Sequence, residues 1–276
     1  MTETPIPKLL EQGLFHHRRG EFAPAMQRYV DVLKRDPQNA DALYYSAVIA
    51  CAEGQYKEGI DLARRALSFR PRQARVHNMI GKALAEMNQR KEALEAFDEA
   101  LACDIKFAEA YTNRGNMLCE LGRFAEALSS YDRALELEPI APNWLNRGTA
   151  LEPMGRVDEA IESYDKAIAI APKEPLSYIN RAHALGRAGR FQEALASAER
   201  AIEVAPKAPY GHLAKSQALM ALGQPDGALA AADQAIRLAP QVADAHMVRA
   251  TVLEALGRKD EAKESREQAK ALASKG

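Results

Sequence analysis

The chain has 276 residues, with 37 lysines and arginines against 38 aspartates and glutamates, a formal net charge of −1 and 47% hydrophobic residues. That balance argues against nucleic acid as the main partner, and the lack of any run of about 20 apolar residues argues against a membrane span or a membrane partner. Three cysteines (Cys51, Cys103 and Cys119) without a CxxC pair, and a start that lacks the regions of a signal peptide, predict a reduced, cytoplasmic protein.

In chain order, residues 1–5 read as a frayed lead. From Ile6 onward one pattern returns: an apolar helical stretch, a glycine, a second apolar helical stretch, a proline. It is plainest from Ala108 to Pro139. Tyr111, Gly115 and Leu118 share one helical face, and Phe124, Ala127, Leu128, Tyr131, Ala134 and Leu135 share another. Gly122 suits the end of the first helix, and Pro139 follows the second, where a helix cannot continue. A hairpin of this kind cannot bury both faces alone and needs copies of itself.

The copies are there. With Ala108 as position 1, eight repeats span 6–39, 40–73, 74–107, 108–140, 141–174, 175–208, 209–242 and 243–276. Position 8 is always small: Gly13, Ala47, Gly81, Gly115, Gly148, Ala182, Ser216 and Ala250. Position 15 is glycine in every repeat except the third, where Asn88 also tolerates a left-handed backbone. Position 27 is alanine except for Val32, and position 32 is usually proline.

Local departures carry their own expectations. His16 and His17 are adjacent and point apart on a helix, so they do not read as a metal pair. Pro153 either ends the first helix of repeat five or kinks it. Trp144 reads as core packing. Lys263, Arg266 and Lys270 stand in the last repeat where Leu128, Tyr131 and Leu135 stand in the fourth. They read as a solvating cap, so the array reads as complete.

Two charge ladders run in step. Position 7 carries Arg114, Arg147, Arg181, Lys215 and Arg249; position 25 carries Asp98, Asp132, Asp165, Glu199 and Asp233 one repeat earlier. We expect five ion pairs between successive repeats, fixing register more than adding stability.

This pattern resembles the tetratricopeptide repeat (TPR) family over essentially the whole chain. The resemblance implies an all-α, right-handed superhelical solenoid of eight helix-turn-helix units, with the first helix of each unit lining a concave face. On that face, Asn113, Asn146 and Asn180 at position 6 are similar to the asparagine ladder of the TPR superhelix in O-GlcNAc transferases, which holds substrate backbone. An amide offers both donor and acceptor to an extended peptide. Asn116, Thr149 and His183 flank this run, Leu145 and Ile179 add apolar contact, and Tyr44 lies towards the start. The carboxylate clamp of chaperone-binding TPR domains is not matched: Thr112, Asn116, Asn146, Leu176 and Asn180 stand at its positions, without the cations.

No phosphate-binding loop, GxSxG, HExxH or metal-ligand cluster occurs, and no segment is left for a catalytic domain. The sequence therefore predicts a non-catalytic scaffold without cofactor. It would bind a partner protein, through a peptide or a helix, in its groove. The alternatives are a self-associating homo-oligomeric platform and a substrate-recruiting accessory subunit of a separate enzyme.

Overall fold

The structure, a computed structural model, describes residues 4–274. Residues 1–3 of the expected frayed lead lie outside the described residues. Thr4 is tied down, its carbonyl accepting from Arg35 Nη1 at 2.6 Å.

The described residues form eight helical hairpins. They are α1 (Ile6–Arg18) with α2 (Phe22–Arg35), α3 (Ala40–Ala52) with α4 (Tyr56–Phe69), α5 (Ala74–Glu86) with α6 (Arg90–Cys103), and α7 (Ala108–Glu120) with α8 (Phe124–Leu137). There follow α9 (Ala141–Leu151) with α10 (Val157–Ile170), α11 (Pro175–Arg187) with α12 (Phe191–Val204), α13 (Pro209–Ala221) with α14 (Pro225–Leu238), and α15 (Ala243–Ala255) with α16 (Lys259–Ala273). The chain divides into two compact halves, up to Glu138 and from Pro139.

The turn inside each hairpin follows from one backbone requirement. Position 15 is left-handed in all eight repeats, with Asn88 at φ 61° and the glycines between 72° and 79°. That conformation lets Arg123 N–H reach back to Leu118 O at 2.8 Å and Gly122 N–H to Cys119 O at 2.9 Å, satisfying carbonyls the helix end leaves open. Pro153 ends its helix and does not kink it. After Leu151 the backbone tightens into a 3₁₀ turn, Glu152–Met154, closed by Gly155.

The core is built from alanine at close approach and, in half of the hairpins, one large ring between the two helices. Position 27 is buried throughout, from Val32 and Ala66 to Ala235 and Ala269. Position 24 then divides the repeats. In repeats one, three, four and five it is Tyr29, Phe97, Tyr131 or Tyr164, each lying against the glycine at position 8 of its own repeat. A Cβ on Gly115 would fall 2.6 Å from the Tyr131 ring, and one on Gly148 would fall 2.5 Å from Tyr164. In repeats two, six and seven position 24 is Ala63, Ala198 or Ala232, and position 8 is Ala47, Ala182 or Ser216. Volume lost at one site is partly restored at the other, as close packing requires.

Within the halves, four of the expected charge rungs form. Asp98 meets Arg114 Nε at 2.6 Å, Asp165 meets Arg181 Nε at 2.6 Å, Glu199 meets Lys215 Nζ at 2.8 Å, and Asp233 meets Arg249 Nε at 2.7 Å. The Arg181 pair is one of charges at close range; its Nε–H is not aimed for a hydrogen bond. The fifth rung, Asp132 with Arg147, joins residues of different halves and stays an expectation. Each rung with arginine has a second arm that the ladders did not suggest. Arg114 donates to Ser130, Arg147 to Ser163, Arg181 to Ser197 and Arg249 to Ser265, all at position 23 of the arginine's own repeat. Where position 7 is Lys215, position 23 is Ala231.

Trp144 departs from its expected core role. It is half-buried, with Lys166 Nζ 4.4 Å from its ring centroid and Arg147 on the ring at 5.8 Å. Its packing partners are thus cations, which a ring face attracts.

Candidate functional site

The candidate residues all lie on first helices of hairpins, as position 5, 6 or 9 of a repeat must. Helical spacing gathers those positions on one side of the first helix. In the amino-terminal half these are Tyr44 on α3 and Asn113 and Asn116 on α7. In the carboxy-terminal half they are Leu145, Asn146 and Thr149 on α9 and Ile179, Asn180 and His183 on α11.

The amino-terminal half brings Asn113 and Asn116 together on the wall of an open cavity of about 510 Å³, lined also by Lys82, Glu86, Arg90 and Glu120. Both amides already have work within the fold. Asn113 Nδ2 donates to Oδ1 of buried Asn78 at 3.0 Å, and Asn116 Oδ1 accepts from the Tyr131 hydroxyl at 2.8 Å. Arg90 is held by Glu120 at 2.7 Å and Lys82 by Glu109 at 3.2 Å. The cavity therefore presents a polar, charge-balanced surface with partly spent hydrogen-bonding groups. Tyr44 lies elsewhere. It is half-buried against the cluster of Ala40, Leu43 and Ala66, and its ring tilts against Tyr45 at 5.2 Å. Burial, more than its neighbours' charges, raises its hydroxyl pKa.

In the carboxy-terminal half the roles separate further. Asn180 is half-buried and makes no side-chain hydrogen bond among the described residues, so its amide is available. Asn146 and Leu145 are half-buried on α9. The Thr149 hydroxyl is turned onto its own helix, donating to Leu145 O at 3.1 Å. Ile179 corrects the expectation of groove contact. It is only 7% exposed and packs with Tyr178, Ala201, Ile168 and Val204, so it offers almost no surface to a ligand. The reason is angular: neighbouring helical positions differ by about 100°, and both position 4 and position 5 of this repeat turn inward.

His183 lines an open cavity of about 380 Å³ between α11, α12 and α13. His183 is exposed at the cavity mouth. Desolvation by the neighbouring helices lowers its pKa, against the opposing pull of the Glu152 carboxylate. Sequence reasoning missed the other walls of this cavity, Phe191, Gln217, Ala218 and Ala221. The same repeat positions, 9, 12, 13 and 17 of one repeat with 6, 9, 10 and 13 of the next, line the cavity beside Asn113 and Asn116, and that recurrence was the signal.

All three cysteines are free and half-buried, and burial raises the thiol pKa of Cys51 and Cys119. No helix among the described residues is long and apolar enough to cross a membrane.

Five family models, each described as tetratricopeptide repeat, match residues 16–83, 74–104, 108–139, 139–207 and 213–274. No curated protein matches the chain in sequence. Among solved structures, a tetratricopeptide repeat protein from Parabacteroides merdae is 17% identical, with 96% of this chain and 98% of that one covered and a TM-score of 0.64. PilW, described as a type IV pilus biogenesis factor, is 22% identical over 72% of this chain and 92% of its own, with a TM-score of 0.65. YrrB, described as a TPR protein with an unusual peptide-binding site, is 21% identical over 71% of this chain and 97% of its own, with a TM-score of 0.58. At these identities the likeness is one of fold.

Proposed function

The chain is a member of the tetratricopeptide repeat family, whose members generally mediate protein–protein interactions, and from that premise we propose that it is a non-catalytic scaffold that binds an extended partner peptide along its first helices. The observation that carries this reading is Asn180. It is a half-buried amide with no partner among the described residues, on a helix that also lines an open cavity. An unspent amide at such a place can pair with both the N–H and the C=O of a peptide bond. The cavity bearing Asn113 and Asn116 supplies a second, polar stretch of the same kind of surface. Backbone pairing with a few side-chain anchors gives affinities on the order of micromolar, about 8 kcal/mol.

The test is a peptide array probed with the intact chain and with Asn180→Ala. Asn180 makes no internal bond, so the variant keeps the fold and the comparison is clean. Asn113→Ala is a poorer probe, because it strands the buried Asn78 carbonyl oxygen at a cost of about 1–3 kcal/mol. Peptides retained by the wild type and weakened about tenfold by Asn180→Ala support the reading. An identical peptide profile for both proteins contradicts it.

A further inference from the structure

Where α4 hands over to α5 the charge balance of the chain breaks down. From Leu62 to Ala85 the sequence carries Arg64, Arg65, Arg70, Arg72, Arg75 and Lys82 and no aspartate or glutamate, in a protein of net charge −1. Arg64 and Arg65 lie in the last two turns of α4, Arg70 and Arg72 in the connection, and Arg75 in the first turn of α5. All five arginines are exposed.

At the repeated positions the fold pairs its arginines. Arg114, Arg181 and Arg249 at position 7 each meet a carboxylate of the preceding repeat. Arg123, Arg156, Arg190 and Arg258 at position 16 each meet the glutamate three residues on. Within the basic run, Arg70 is held by Asp41 at 3.0 Å and Lys82 by Glu109 at 3.2 Å. Arg64, Arg65, Arg72 and Arg75 are different. Among the described residues their guanidinium groups are in no ion pair and make no hydrogen bond, not even with Asp61, one turn before Arg65 on α4.

Arg64 shows how the difference arises. It stands at position 25, where the later repeats carry the carboxylates of the charge rungs. Its counterpart at position 7 of repeat three is Ile80, buried and apolar. The rung is inverted in sign on one side and has no charge on the other.

We propose that this surface docks an acidic segment of a partner protein, whose carboxylates complete the ion pairs that the fold leaves open. Guanidinium forks pair carboxylates in a fixed two-point geometry. From Arg64 to Phe69 the helix rises about 8 Å, and the six residues on to Arg75 span at most about 20 Å. An extended segment of about eight residues reaches across that distance. Phe69, exposed and one turn after Arg65 on the same side of α4, offers an apolar contact between the charges. A nucleic acid fits less well. Asp41 and Glu109, which hold Arg70 and Lys82, border the run, and a continuous phosphate backbone leaving the arginines would meet these carboxylates. The inference goes beyond the peptide reading above and stands on other residues, all in the amino-terminal half.

The test is the fluorescence anisotropy of labelled deca-glutamate titrated with the intact chain at low salt. Deca-glutamate should bind and deca-glutamine should not. Arg64→Gln, Arg65→Gln, Arg72→Gln and Arg75→Gln together should weaken binding about tenfold. These side chains are exposed and unbonded, so the variant keeps its fold. The control variant, Arg123→Gln, Arg190→Gln, Arg200→Gln and Arg258→Gln together, removes the same charge from arginines that are already paired. It should weaken binding less than about twofold. In the wild type with alanine methyls labelled for NMR, deca-glutamate should shift Ala74, which lies between Arg72 and Arg75. No binding, equal losses in the two variants, an unmoved Ala74 methyl, or tighter binding of deca-uridine RNA than of deca-glutamate each overturns the proposal. Asn180→Ala should leave deca-glutamate binding unchanged, and a loss there would place the peptide in the groove and overturn the proposal. If deca-glutamate binds at the arginines while Asn180→Ala leaves the peptide array unaltered, this proposal stands and the groove reading falls.

Discussion

Repeats five and six are neighbours built on one plan, yet they fill the space between their two helices differently. Repeat five pairs Gly148 with Tyr164, and the ring fills the space between its two helices. Repeat six pairs Ala182 with Ala198. The difference shows that the repeat fixes backbone geometry while leaving one interior volume to choice. A ring at position 24 serves stability without closing the seam to the next repeat, since Phe97 itself lines the cavity beside Asn113 and Asn116.

The largest effect should come from removing the ring of repeat five. Tyr164→Ala should cost about 4 kcal/mol in denaturant unfolding, as loss of a fully buried aromatic ring does. Gly148→Ala alone should cost about 2 kcal/mol, because the new methyl meets the Tyr164 ring. The two together recreate the pairing of repeat six, so the double variant should be less destabilised than the sum by at least about 1 kcal/mol. Strict additivity would show that the small-for-large exchange is coincidental.

A smaller effect separates the arginine rungs from the lysine rung. Arg249 holds both Asp233 at 2.7 Å and buried Ser265, so Arg249→Met should cost about 1.5 kcal/mol. Lys215 holds only the exposed Glu199, so Lys215→Met should cost about 0.5 kcal/mol. Equal costs would mean that the serine arm contributes nothing. Tyr164→Phe keeps the ring and loses the bond to Glu152, and a cost of about 1 kcal/mol is expected. Smallest of all is Arg123→Ala. The Arg123–Glu126 pair is exposed, and the thermal midpoint should not move.

Much of this was legible in the sequence, because the repeat makes each position its own control. Hairpin boundaries followed from position 15, where only a left-handed backbone closes the turn. The charge rungs followed from two ladders offset by one repeat. What escaped needed pairs of positions to be read together. The exchange between positions 8 and 24, and the serine that follows arginine at position 7, are written in the sequence but show only when repeats are compared two positions at a time. Asn113 was assigned to a ligand on spacing alone, and spacing does not reveal that Asn78 on the preceding first helix takes up its amide. Ile179 failed for a related reason. Spacing places position 5 on the boundary between core and groove, and the side chains opposite decide which side it joins.

The most direct measurement is the location of a bound peptide. A peptide retained on the array should be titrated into the methyl-labelled chain and its contacts mapped by alanine shifts. The account predicts that the largest shifts fall on alanines of the first helices, Ala182 on the helix of Asn180 among them. Shifts confined to the second helices would contradict it.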